Sequence, residues 1–177
     1  MLFGSREFKP MEEIAPTVFR TVYEYSGPPM TSYLLPGIAF FFGLVSLVML
    51  VATWSSGKGT RLVWVGLFFL SVGLTAAASW RIFKTHGPVV KAIGERQIRE
   101  ITGPVEDFVP ESIEGAQHES FTVKEVRFEY SDSQQTGGFN NSSTQGGPIG
   151  PGITVRLTYF HHPGLNQNII VKLQVPE

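Results

Sequence analysis

No cysteine occurs in the 177 residues. Disulfide bracing, thiolate nucleophiles and cysteine metal sites are therefore excluded, and the composition suits a reducing compartment without requiring one. Charge is missing from two long stretches: no Asp, Glu, Lys or Arg lies between Glu24 and Lys58, or between Arg61 and Arg81. Positive charge is scarce toward the C-terminus, where ten acids face four bases from Glu100 onward. That region lacks the basic surface from which nucleic-acid binders draw most of their affinity, so nucleic acid is not expected as a partner.

The charge-free stretches hold two apolar runs, Tyr33–Trp54 and Leu62–Trp80. Each is close to the roughly 20 apolar residues with which an α-helix crosses about 30 Å of hydrocarbon. The mean hydropathy of +0.07 conceals them, because a polar tail dilutes the average. Only Ser55–Thr60 separates the runs, which predicts a helical hairpin. Trp54, Trp64 and Trp80 mark run ends, where indoles favour the headgroup level. Pro36 falls in the first helical turn, where a missing N–H costs little. The absence of ionisable side chains inside the runs argues against an ion path or proton relay and for an anchor.

Small residues spaced for close helix packing stand at Ala39 and Gly43, and at Gly73 and Ala77, with Gly66 extending the second face. They predict packing within the hairpin or between copies in a homo-oligomer. Lys58 and Arg61 lie in the hairpin turn, against Arg20, Arg81, Lys84, Lys91 and Arg96 on the outer flanks. This excess predicts cytoplasmic termini, with membrane lipid as the first partner.

The predicted organisation is a polar N-terminal segment (1–31), a two-helix transmembrane hairpin (32–82), a linker (83–98) and a β domain (99–177). Gly87-Pro88 predicts a break in any helix leaving the membrane, and Val89–Glu100 is open between a short helix and a first strand. A strand is expected around Arg99–Val109, interrupted at Gly103-Pro104. Phe121 and Val123, then Val126, Phe128 and Tyr130, alternate with polar residues, and the parity change at Lys124-Glu125 implies a tight turn or bulge. Ile153–Tyr159 and Ile169–Val175 alternate likewise, joined by a turn at His161-His162-Pro163-Gly164. About five short strands predict a small all-β domain, an OB-like or SH3-like antiparallel barrel, with an open β-sandwich as the alternative.

Ser131–Gly152 is a long polar loop with Asp132 as its one charge and Phe139 and Ile149 as its large apolar residues. Loops of this length are often functional. Phe139, Asn140 and Asn141, with Tyr130 and Asp132 at the loop entry, are the candidate residues for binding a partner protein.

Along residues 101–175 the tail resembles uncharacterised bacterial membrane-anchored proteins. The shared features are Glu119-Ser120-Phe121-Thr122-Val123, then Val126-Arg127-Phe128-x-Tyr130-Ser131-Asp132, then Gly138-Phe139-Asn140 and the step Gly146, Pro148, Ile149. Lys124-Glu125 stands where that pattern has an Asn-Gly turn. In layout alone the chain is similar to NfeD-like proteins, in which a membrane anchor carries an OB barrel. The resemblance implies a multi-pass protein of the bacterial inner (plasma) membrane and no particular activity.

Side chains with catalytic potential form no recognisable constellation. His86, His118, His161 and His162 lack metal-ligand spacing. Ser120, Ser131, Ser142 and Ser143 lack a nucleophile-elbow or P-loop context. Asn140–Ser143 contains overlapping glycosylation sequons, meaningful only in a secretory lumen. Glu106, Asp107 and Glu111 would serve a hydrolase only if one pocket joined them. The expectation is a non-enzymatic protein without metal or cofactor, presenting its β domain to a partner. The alternative is an outward-facing domain that senses a sugar, peptide or cell-wall ligand.

Overall fold

The computed structural model describes residues 18–55, 57–112, 117–134 and 136–177. Residues 1–17 of the polar N-terminal segment lie outside this description. The element order is β1 (Phe19–Glu24), α1 (Leu34–Ala52), α2 (Lys58–Gly94), β2 (Arg99–Pro104), β3 (Glu106–Val109), β4 (Glu119–Val123), β5 (Val126–Tyr130), β6 (Thr154–His162) and β7 (Gln167–Pro176). Short 3-10 turns precede α1 and interrupt the loop after β5.

The two apolar runs form helices long and apolar enough to cross a membrane. They pack as a hairpin through Ala39, Gly43 and Ser46 of α1 and Ser71 of α2. A Cβ on Gly43 would sit 3.4 Å from the Ser71 Cβ, so this glycine sets the approach. Gly66, Gly73 and Ala77 face outward instead. Of the five small residues, only Ala39 and Gly43 serve the hairpin contact. Hydroxyls within the apolar helices bond backward: Ser46 to the Phe42 carbonyl, Ser71 to Leu67 and Thr75 to Ser71. Each of these three hydroxyls is satisfied within its own helix.

Helix α2 does not stop at Gly87-Pro88. It runs to Gly94 with Pro88 inside, about 55 Å in all. Proline removes one intrahelical bond and costs about 3 kcal/mol in a helix interior. Packing of the last turns offsets that cost, since Val89 and Ala92 are buried against Phe160, Ile169 and Val171 on the outer face of a sheet. The predicted linker is therefore mostly helix.

The strands form two antiparallel sheets, in the orders β1-β7-β6-β2 and β3-β4-β5. Among the described residues no hydrogen-bonded ladder joins them, so the expected OB-like or SH3-like barrel is replaced by an open two-sheet packing. The chain changes sheets at Val105, directly after Gly103-Pro104. There Val105 exchanges backbone bonds with Ile153 and Gly152 rather than extending β2. The shared core includes Phe121, Phe128, Tyr130, Phe139, Leu157 and Leu173.

Strand β1 belongs to this domain although it precedes the helical hairpin. It pairs with β7 from Phe19↔Pro176 to Glu24↔Lys172. The hairpin is thus inserted within the β domain. On β7 the register steps from Thr158↔Lys172 to Tyr159↔Ile170, leaving Val171 as an extra residue. This bulge flips side-chain parity. Ile170, Leu173 and Val175 reach the inter-sheet core, while Ile169 and Val171 face α2.

Candidate functional site

The loop between β5 and β6 is pinned by three carboxylates, Glu111 and Glu119 buried and Asp132 exposed. Glu119, fully buried on β4, accepts bonds from the Tyr130 hydroxyl and from the backbone N–H and hydroxyl of Ser143. Asp132 accepts from the Ser142 N–H at 2.8 Å and hydroxyl at 2.6 Å. Glu111 accepts from the Ser131 hydroxyl. Two glycines let the backbone approach closely: a Cβ on Gly138 would lie 2.8 Å from the Ile170 carbonyl oxygen, and one on Gly147 2.7 Å from that of Ser142. The loop is an ordered cover over the core.

This geometry redistributes the candidate binding residues. Phe139 is only 5% exposed and packs edge-on against Tyr23 and Tyr130, with its N–H bonded to the Ile170 carbonyl. It is a core residue and offers no ring to a partner. Tyr130 is equally buried. Burial first, then its bond to Glu119 and the nearby carboxylates, pushes its hydroxyl pKa far above the usual tyrosine value. Asp132 is occupied by Ser142. Asn140 is half-buried and donates to the Gln134 carbonyl, while Asn141 is exposed. Of the five candidates, these two asparagines and the exposed Asp132 lie at the surface. Glu111 is buried whereas Glu106 and Asp107 are exposed, and the cleft beside β3–β5 takes in Asp107 but neither glutamate. His161 pairs with Asn168 near the turn of the β6–β7 hairpin, and His162 accepts from the Leu165 N–H.

At the junction of α2 with the β domain the sequence predicts only a linker. Three contacts seat the helix. Val89 and Ala92 rest on the outer sheet face. The Tyr25 ring stacks on His86, with 3.2 Å between its hydroxyl and Nδ1, and burial, then Tyr33, raises the Tyr25 pKa. Gly137, at φ +73°, brings the loop against the helix backbone, where a Cβ would come within 2.8 Å of the Thr85 carbonyl oxygen. A sequence signal existed: Val89, Val90, Ala92 and Ile93 keep helical spacing beyond the proline.

Two clefts flank this junction. A polar one of about 460 Å³ is lined by Tyr25, Ser32, His86, Thr136 and Asn140, among others. An apolar groove of about 850 Å³ runs between α2 and the β6–β7 turn, from Trp80 to Lys91 on the helix and from Phe160 to Pro163 opposite. Among known proteins, the chain matches no family model, no curated protein and no solved structure.

Proposed function

We propose that the chain is a membrane-anchored interaction protein of the bacterial inner membrane, whose helical hairpin spans the bilayer and holds the β domain at its cytoplasmic surface for a partner protein. The observation that carries the reading is the β1–β7 pairing across the inserted hairpin. Hydrogen-bonded strands share one aqueous side, so the segment between them crosses the bilayer an even number of times. Two apolar helices supply two crossings. The surrounding protein buries 22% of the most apolar window of the first and 6% of the second, whereas a soluble core helix would be mostly covered. The unbroken α2 gives the domain a fixed seat rather than a tether. Asn140 and Asn141, on a loop held by Glu119 and Asp132, offer amide groups on a rigid frame.

The absence of native cysteine makes site-directed labelling direct. With an impermeant maleimide on intact cells, Gly59→Cys should label, and Arg20→Cys and Glu177→Cys only after permeabilisation. Labelling of positions 20 and 59 from the same side would remove the spanning hairpin. Labelling of 20 and 177 from outside would favour the ligand-sensing alternative, for which the polar cleft at Tyr25, His86 and Asn140 is the available site. A photo-crosslinker at Asn141 in native membranes should then capture a discrete protein. No adduct above background would overturn the partner reading.

A further inference from the structure

The apolar groove has features of a lipid site as well as of a gap in the packing. On α2, Trp80, Phe83, Gly87 and Pro88 line one wall; Phe160 and Pro163 stand opposite. Trp80, Phe83 and Gly87 recur at three- and four-residue spacing and share one face, with Pro88 beside it. Trp80 and Phe83 are 67% and 68% exposed, far more than a soluble surface would favour for adjoining large rings. At Trp80 and Phe83 this wall continues the apolar surface of the preceding helix, so a hydrocarbon chain lying against α2 meets the near end of the groove without crossing water.

The charged lining of the groove is of one sign. Lys84 and Lys91 line it from the helix, His161 and His162 from the turn, and no carboxylate does among the described residues, in a chain with fifteen acids. Lys84 lies one turn beyond Trp80, about 6 Å along the axis. The headgroup layer on each side of the hydrocarbon is about 5–7 Å thick, so a tryptophan at its inner boundary places Lys84 at phosphate level. Lys91, two turns further, has an exposed pairing with Glu95 at 3.9 Å, too weak to neutralise it.

We infer that this groove holds an anionic phospholipid of the surrounding bilayer, its acyl chain along Trp80 and Phe83, its phosphate at Lys84 and its headgroup running past Gly87 toward Lys91, two turns further out. The inference rests on the membrane-spanning reading and adds a ligand class to it. The lipid would complete the face between helix and sheet that protein atoms leave open, and would tie the seat of the β domain to membrane composition.

The test uses the full chain with Trp54→Phe and Trp64→Phe, so that Trp80 is the sole tryptophan. It is reconstituted in phosphatidylcholine vesicles in which matched fractions of either phosphatidylglycerol or phosphatidylcholine carry brominated chains. Brominated phosphatidylglycerol should quench Trp80 more strongly than brominated phosphatidylcholine. The preference should fall about fivefold for each of Lys84→Gln and Lys91→Gln, the worth of one basic residue near an anionic surface. Gly87→Leu leaves the charge unchanged and fills the groove, since a side chain there meets only the Phe83 ring. It should abolish the preference too. Equal quenching by both lipids would overturn the site, as would a preference that survives Gly87→Leu, which reports general surface attraction. Quenching by neither would remove the membrane reading and the site together.

Discussion

Replacing Phe139 by alanine removes a ring wedged between Tyr23 and Tyr130 in the inter-sheet core. The expected cost is about 3–5 kcal/mol of β-domain stability, the usual range for a buried phenylalanine. Asn141→Ala, at an exposed position, should change stability by less than about 0.5 kcal/mol. Chemical unfolding in detergent, followed by limited proteolysis, separates the two. A small loss for Phe139→Ala would mean the ring is not part of the core. Tyrosine chemistry gives a second expectation. Burial, then the nearby Tyr25, raises the Tyr23 pKa to about 12 from the ordinary 10.0, and Tyr130 is raised further. Above pH 10 the unfolded chain releases these protons while the folded chain keeps them, so stability is intact below 10 and falls as pH climbs toward 12. Tyr23→Phe should flatten part of that decline in an alkaline unfolding series. An unchanged slope would contradict burial of the Tyr23 hydroxyl. At this scale the sequence was legible where alternation governs, as for Phe121, Phe128, Val155 and Leu157, all of which face the core. It misled at Phe139, because an aromatic among glycines and asparagines has no periodic neighbours to reveal that a loop folds inward.

Elements were readable when their partners were near in sequence. The β4–β5 hairpin closes through a two-residue turn at Lys124-Glu125, with Val123 opposite Val126 and both central residues at positive φ. That geometry suits Asn-Gly and strains other side chains. Glu125→Gly, at φ 69°, should therefore stabilise the domain by roughly 1 kcal/mol, the lower end of the cost of holding an L-residue in the left-handed region. A higher unfolding midpoint with an unchanged denaturant slope would bear this out; a lower midpoint would show that Glu125 makes a compensating contact. Two elements escaped local reading for a different reason. Helix α2 continues through Pro88 because the sheet beneath rewards burial of Val89 and Ala92, a tertiary term that a Gly-Pro step in isolation does not carry. Strand β1 alternates Phe19, Thr21 and Tyr23, but its partner is β7 at the far end of the chain. The same two elements accompany the open sheet packing. The added strand widens one sheet, and the helix covers its outer face.

For the molecule as a whole, the inserted hairpin implies that the β domain is one folding unit assembled from both ends of the sequence. The pairing Phe19↔Pro176 brings the start of β1 beside the end of β7, where the Glu177 N–H already bonds the Val18 carbonyl at 3.1 Å. The two termini of the described chain are therefore placed to be joined by a tight turn, while the ends freed at Tyr25 and Lys84 lie together at the helix seat. A rearranged chain running from Lys84 to Glu177, through an Asn-Gly turn, and on through residues 18–26 would omit both apolar runs. It would keep every strand together with Val89 and Ala92 over the outer face. The new connection is an antiparallel two-residue hairpin, for which Asn-Gly is the favoured choice. This chain should be soluble and monomeric and should melt cooperatively. Residues 84–177 alone should not, because they leave β7 as a bare edge and uncover Phe139 where Tyr23 now covers it. Circular dichroism melts and amide-proton dispersion of the two proteins decide the matter. Equal folding of both would show that β1 is an accessory strand. Failure of both would show that the domain depends on the helical hairpin.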